Sequence, residues 1–152
     1  MQTVDVEAFR AELTKKCGRS IACIRAVEYY MQLVKDPCYP PSVKLTHKVR
    51  RHLMELLRTY GNPRCNVKQL VIEKLRGTEF EDLAEEIAEA AYVIRRRMNI
   101  SSRVAAAVAT YIVVRRRRRY VSITRLTKIY NISGVSISKN ATEAAKILNQ
   151  KT

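Results

Sequence analysis

The 152-residue sequence has few turn-forming residues and no long apolar run. Four glycines and four prolines are too few for a β-sandwich or barrel, which needs turn residues roughly every 8–12 positions. The longest apolar stretch, residues 104–114, is much shorter than the roughly 20 residues that cross a bilayer. Met1 is not followed by the basic and apolar residues of a secretory signal. We therefore expect a cytoplasmic protein with no membrane partner.

Cysteine and histidine are also sparse, and their spacing does not suit a metal. His47 and His52 are five residues apart, whereas ligands on one helix face are three or four apart. No CxxC pair occurs among the four cysteines, which are Cys17, Cys23, Cys38 and Cys65. We expect buried structural cysteines and no cofactor. The spacing leaves open a disulfide, which inside a cell is typical of hyperthermophiles.

The sequence lacks the motifs of common enzymes. It contains no GxxxxGK[ST] or GxGxxG phosphate-binding loop, and neither histidine lies near a nucleophile motif. His52 falls on the apolar face of a predicted helix, where a role in the core is more typical than catalysis. The acidic residues between positions 79 and 89 share one helix face and do not surround an obvious cleft. We predict that the protein is not an enzyme.

Acidic residues are scarce in the second half of the chain. The sequence has 29 Lys and Arg against 14 Asp and Glu, a net charge of +15. Residues 95–152 contain ten Arg, four Lys and one acid, Glu143, and so carry +13 of that charge. A basic excess confined to one half of a chain is typical of a surface that faces a polyanion. Nucleic acid is the first candidate, ahead of an anionic membrane or an acidic protein.

Helical periodicity extends over almost the whole sequence, and no segment alternates as a strand does. Two stop signals interrupt it, the Pro-rich segment 36–41 and Gly61-Asn62-Pro63. We predict an all-α fold with an N-terminal helical segment, residues 1–61, and a second domain, residues 64–152.

Capping residues and apolar content refine this prediction. Ser42 is the predicted N-cap of the third helix, and Thr78 with Glu81 is the predicted capping box of the fifth. Residues 104–114 are apolar on all sides of a helix, which indicates a central, buried position.

The sequence after this apolar helix has a helix-turn-helix pattern. It predicts a helix from Ser122 to about Tyr130, a turn over residues 131–134 with Ser133 as N-cap, and a final helix. In this motif the N-terminal residues of the second helix meet the major groove. The polar candidates for contact with base edges or phosphates are Ser136, Ser138, Lys139 and Asn140.

Three stretches of this region resemble the last cyclin-like repeat of archaeal transcription initiation factor B, the counterpart of eukaryotic factor IIB. They are AAVATYIV (residues 106–113), SITRLTKIYNIS (122–133) and GVSISKNATEAAKIL (134–148). The family has an AAAALYIA-type helix, a basic loop, T-x-x-E-(V/I)-A, and V-T-x-V-T-I-R at the final helix. Tyr111-Ile112 and Val135-Ser136-Ile137 match the Tyr-Ile and Val-Thr-Ile steps at the same spacing.

The resemblance implies a cyclin-like helical bundle that ends in a helix-turn-helix, with extra N-terminal helices. It implies binding to double-stranded DNA in transcription initiation or its regulation, with TATA-binding protein or RNA polymerase as partners. Arg125 and Lys128 would contact adjacent phosphates. The arginine run would also contact the DNA backbone. Its members are Arg115, Arg116, Arg117, Arg118 and Arg119. The family's Arg-Asn is Ser138-Lys139 here, and its zinc ribbon has no counterpart.

Alternatives remain open from the sequence. A chromatin-like or virion protein would coat nucleic acid by binding the phosphate backbone without reading bases. Residues 1–61 could instead hold a protein partner. A basic partner or solvent could face the acidic side chains of Glu79, Glu81, Asp82, Glu85, Glu86 and Glu89. The DNA-binding interpretations associate the protein with the nucleoid.

Overall fold

The structure, a computed structural model, describes residues 6–41 and 43–150. These residues form eight α-helices, one 3₁₀ helix (Glu81–Leu83) and no strand, which confirms the predicted all-α fold. The α-helices are α1 (Val6–Cys17), α2 (Ile21–Lys35), α3 (His47–Tyr60), α4 (Val67–Leu75), α5 (Ala84–Arg97), α6 (Ser102–Arg116), α7 (Ile123–Tyr130) and α8 (Gly134–Gln150). The chain divides into two compact units, residues 1–64 and 65–152.

The first unit is built on α2, which packs against both α1 and α3. Apolar side chains three and four residues apart place one face of each helix in a shared core. The buried core residues are Leu13, Ala26, Val27, Tyr30, Met31, Val49 and Leu53. The Tyr30 hydroxyl also donates to the carbonyl of Gly61, at 3.0 Å, and so ties α2 to the residue that ends α3.

The start of α3 differs from the prediction, whereas its end agrees with it. Ser42, the predicted N-cap, lies outside the described residues, and the helix starts only after Thr46, whose hydroxyl accepts from the Val49 N–H at 3.3 Å. Serine and threonine both cap helices, so the local sequence offers two starting points. The helix ends at Gly61, whose φ of +97° lies in the range that favours glycine.

The cysteines are oxidised. Cys17, at the end of α1, and Cys23, in α2, form a disulfide with Cα atoms 5.4 Å apart. No cysteine within the described residues is a free thiol, and all four are half-buried instead of buried as expected. The turn between α1 and α2 brings Cys17 and Cys23 within bonding distance, which their spacing in the sequence does not reveal.

The second unit is a bundle around α6, which packs against α4, α5, α7 and α8. Residues 105–110 of α6 are completely buried, as its apolar character on all sides predicted. Most of these residues are alanines, whose small side chains let neighbouring helices approach closely. Neither α6 nor any other helix of the described ranges combines the length and the apolarity needed to cross a membrane.

The predicted capping box before α5 is wrong in register. The Glu81 carboxylate accepts from the Gly77 N–H at 3.2 Å instead of from Thr78. The 3₁₀ helix follows, and the regular helix begins only at Ala84. Phe80, directly before this tighter turn, is buried.

Candidate nucleic-acid interface

α7 and α8 are joined by a short turn in the predicted helix-turn-helix pattern. The Ser122 hydroxyl caps α7 by accepting from the Arg125 N–H at 3.1 Å. α7 ends at Asn131, which has the left-handed conformation with φ +53°. The Ser133 hydroxyl accepts from the Ser136 N–H at 3.3 Å and caps α8. These local signals were all readable from the sequence because they act over three or four residues.

Two close contacts hold this motif together. Gly134 begins α8 against α7, and a Cβ added there would lie 3.0 Å from Cγ2 of Ile123. The hydroxyls of Thr110 in α6 and Tyr130 in α7 lie 2.8 Å apart, and both side chains are completely buried. The first contact sets how α7 meets α8, and the second fixes α7 on the central helix.

α8 presents a narrow exposed stripe at helical spacing. In the first half of the helix its members are Val135, Ser138, Lys139 and Thr142, and the exposed side continues with Glu143 and Lys146. Ser138 and Lys139 belong to the predicted site, whereas Val135 and Thr142 were missed. Val135 is apolar but 75% exposed. Hydroxyl and ammonium groups can donate to base edges or phosphates, and an apolar side chain can contact a thymine methyl group.

Ser136 and Asn140, also predicted on α8, do not lie on this stripe. Both are half-buried. The Ser136 hydroxyl lies 2.9 Å from that of Ser133, and the Asn140 amide donates to the Ser136 carbonyl at 2.7 Å. Their polar groups therefore stabilise the first turns of α8, and the structure does not group them with Ser138 and Lys139.

The arginine run is divided between two surroundings. Arg115 and Arg116 extend from the last turn of α6 and are exposed. The Arg115 guanidinium lies 5.1 Å from the ring centroid of Tyr111 and also donates to its hydroxyl. The Arg116 guanidinium donates to the Asn149 side chain of α8 at 2.5 Å. Neither contact neutralises the charge of its arginine.

Arg117 and Arg119 are instead paired with carboxylates near the start of α5. Arg117 binds Glu86 through two hydrogen bonds, and this contact raises the pKa of Arg117. Arg119 pairs with Asp82, with 2.8 Å between nitrogen and oxygen. Arg118 lies between them with φ +59°, and its exposed side chain has no partner among the described residues.

Arg125, a predicted phosphate contact, is paired in the same way. Its Nη2 and Nε atoms donate to the two carboxylate oxygens of Glu79, at 2.8 and 3.4 Å. This hydrogen bond lowers the pKa of Glu79, and the same contact raises the pKa of Arg125. Lys128 differs, because it is exposed and has no partner within residues 6–41 and 43–150.

The predicted acidic face is therefore largely neutralised within its own unit. Three of its carboxylates, Glu79, Asp82 and Glu86, pair with arginines. Glu89 pairs with Lys68 at 2.7 Å, and Glu81 accepts from a backbone N–H. Ion pairing within the unit thus engages three of the cations that the sequence assigned to phosphate.

Five cations without a carboxylate partner in the described ranges lie along α8. One open groove between α6 and α8 is lined by Arg115, Arg116, Ser138, Thr142 and Lys146. A second groove is lined by Arg97, Lys139, Thr142, Glu143 and Lys146. The two grooves adjoin, since they share Thr142 and Lys146. We call the five cations the basic face of α8: Arg97, Arg115, Arg116, Lys139 and Lys146.

Arg97 and Lys146 of this face were missed from the sequence. Arg97 ends α5, far from the motif along the chain, and Lys146 lies three turns into α8. Only the basic excess after residue 94 pointed to them. The described residues contain no group of His, Cys, Asp or Glu side chains suited to holding a metal.

Comparison of the chain with protein-family models, with curated proteins and with solved structures finds no match. The described residues thus form an all-α protein whose second unit ends in two helices, α7 and α8, joined by a short turn. The resemblance to initiation factor B rests on the three stretches quoted above.

Proposed function

We propose that this protein binds double-stranded DNA through α8, with the exposed stripe in the major groove. The observation that carries the proposal is the exposed stripe on α8 with the basic face beside it, to which α5, α6 and α8 all contribute cations. The second helix of a helix-turn-helix enters the groove with its N-terminal residues, and Ser138 and Lys139 lie in that part of α8. Cations beside them would bind the phosphates that flank the groove.

The proposal extends to transcription initiation. The stretches that resemble initiation factor B form α6, α7 and α8, which pack together in one unit. This supports a reduced relative of that factor, acting with TATA-binding protein or RNA polymerase. Ser138-Lys139 replaces the family's Arg-Asn, so we expect a different preferred base sequence.

The test is fluorescence anisotropy with the full chain. A TATA-like promoter duplex with its upstream flank is compared with a scrambled duplex across a salt series, with and without TATA-binding protein. Tighter binding to the promoter duplex, increased by TATA-binding protein, supports the proposal. Equal and steeply salt-dependent binding to both duplexes would favour a coating protein that binds backbone alone. Binding to neither duplex would overturn DNA binding.

Two variants locate the base contacts. Ser138→Ala with Thr142→Ala removes two hydroxyls from the stripe and should reduce the preference for the promoter duplex. Thr124→Ala is the control, because Thr124 is an exposed threonine of α7 that lies outside the stripe. An equal loss on promoter and scrambled duplexes would limit α8 to backbone contact.

Two further variants of equal charge change test the division of the arginine run. Arg115→Gln with Arg116→Gln should reduce the slope of log K against log salt by about 1.8, or about 0.9 for each phosphate lost. Arg117→Gln with Arg119→Gln should change the slope less, because these side chains are engaged by Glu86 and Asp82. Equal changes would mean that the ion pairs open when DNA binds.

A further inference from the structure

The first unit has a concentration of positive charge that the proposed function does not use. Helix α3 carries four basic residues and one acid, Glu55, in 14 residues. The basic residues are exposed, and they are Lys48, Arg50, Arg51 and Arg58. All four line one open concavity, whose other lining residues are His47, His52, Met54 and the single carboxylate, Glu55. The small net charge of residues 1–94 conceals this local excess in the sequence.

These four cations have no acidic partner among the described residues. In the same unit, Glu28 binds Arg10 and Glu12 binds Lys16, so both of these carboxylates are engaged elsewhere. Arg117, Arg119 and Arg125 of the second unit, by contrast, all have carboxylate partners. The arginines of α3 thus keep their charge available for an external anion.

The apolar side of α3 is already packed in the core of its own unit. Val49 and Leu53 are buried in the core of the unit, and the exposed large hydrophobic residues of α3 are Met54 and Tyr60, whose ring packs edge-on against Phe9. A helix that binds a membrane surface needs a broad exposed apolar face, which α3 does not present. A protein partner would normally find aromatic or apolar anchors, and the face offers one methionine. A hydrated, highly charged partner fits better.

The spacing on α3 fits a row of phosphates. His47, Arg51, Met54 and Arg58 are separated by four, three and four residues, so they form one stripe along the helix. At 1.5 Å per residue the stripe is about 16 Å long, and its two arginines are about 10 Å apart along the helix, which lets them reach two phosphates of one DNA strand. Guanidinium groups suit phosphate because they can donate two parallel hydrogen bonds.

We propose that this face of α3 binds the phosphate backbone of duplex DNA. The site contributes affinity without base readout, because arginine contacts to phosphate carry no sequence information. It does not depend on α8, so it stands or falls separately from the proposed function.

The first test compares charge-matched variants of the full chain by anisotropy across a salt series. Arg51→Gln with Arg58→Gln should weaken binding to every duplex and reduce the salt slope by about 1.8. The control, Arg19→Gln with Arg25→Gln, removes the same charge from exposed residues of the same unit outside α3. It should leave the slope close to that of the wild type. Identical slopes for both pairs would overturn the proposal.

Two further measurements distinguish a loss of the α3 site from a loss of the α8 site and from misfolding. The Arg51→Gln, Arg58→Gln change is also made in a Lys139→Gln, Lys146→Gln background. If it reduces the salt slope there as well, the two sites act independently. If the α8 variant loses binding and the α3 variant does not, only this inference is overturned. The reverse result would overturn only the proposed function. Unchanged melting by circular dichroism shows that each variant folds.

A local readout completes the test. Benzoylphenylalanine at Met54, in the middle of the stripe, should form a photo-crosslink to a labelled duplex. The same residue at Gln32, an exposed position of α2, should not. Equal crosslinking at both positions would overturn the proposal. Loss of the Met54 crosslink when phosphatidylserine vesicles or polyglutamate are present at a phosphate-matched concentration would do so as well, since another anion would then be preferred.

Discussion

Thr110 and Tyr130 share a hydrogen bond, with 2.8 Å between their hydroxyl oxygens, in the completely buried part of the second unit. The Thr110 hydroxyl also donates to the Ala106 carbonyl at 2.8 Å, so its single hydrogen is used there. Tyr130 is therefore the donor in the pair. The bond joins α7, which is only two turns long, to the central helix and so positions the helix that precedes α8.

We expect Tyr130→Phe to lower the free energy of unfolding by about 1 kcal/mol, the net value of one such hydrogen bond. Thr110→Val should have a similar effect, and the double variant should lose less than the sum because both changes remove the same bond. Urea unfolding followed by circular dichroism measures all three. Strictly additive losses would show that the two hydroxyls act separately.

Gly134 should tolerate a methyl group only if Ile123 changes as well. The added Cβ would meet the Ile123 Cγ2 atom at 3.0 Å, and a β-branched side chain cannot easily turn away. Leucine has no Cγ2 branch. Gly134→Ala should therefore lower the free energy of unfolding less in an Ile123→Leu background than in the wild type, with a coupling energy of about 1 kcal/mol. Additive unfolding energies would show that the contact relaxes freely.

The ion pair between Glu79 and Arg125 should make stability depend on pH in the acidic range. The pKa of Glu79 lies below its ordinary value of 4.5 in the folded chain, so the pair stabilises the fold above that value. This contribution disappears as the pH falls through the lowered pKa. Glu79→Gln should melt below the wild type near pH 7, and the two melting temperatures should converge in acid.

Glu85→Gln is the control for this comparison, because Glu85 is an exposed carboxylate on the same face without an arginine partner in the described ranges. Its difference from the wild type should lack the part that the ion pair contributes to Glu79→Gln. A difference between Glu79→Gln and the wild type that persists unchanged in acid would mean that the ion pair is not its cause.

The disulfide between Cys17 and Cys23 should stabilise the first unit. Replacing both cysteines by serine removes a short covalent loop from the unfolded chain and should lower stability by about 2 kcal/mol. Thermal melting of the oxidised proteins measures this. With dithiothreitol present, the wild type and the variant should melt together. If they still differ, the serine side chains themselves disturb the packing.

The sequence by itself determined the helical character of the chain and several of the helix ends. Periodicity placed the helices, and caps such as Ser122, Ser133 and Gly61 were readable because a cap acts on residues three or four positions away. It named Ser42 as the N-cap of the third helix, whereas Thr46 caps α3. It was wrong before α5, where a buried Phe80 accompanies a tighter turn.

Net charge determined that a polyanion is the first candidate partner, and that assignment stays a prediction. Only the tertiary structure decided which cations are left for it. Arg117, Arg119 and Arg125 meet carboxylates that lie 31, 37 and 46 residues away in the chain, whereas the arginines of α3 meet none among the described residues. A charge count treats all of them alike, because the strength of an electrostatic interaction depends on distances of a few ångströms that only the packed fold sets.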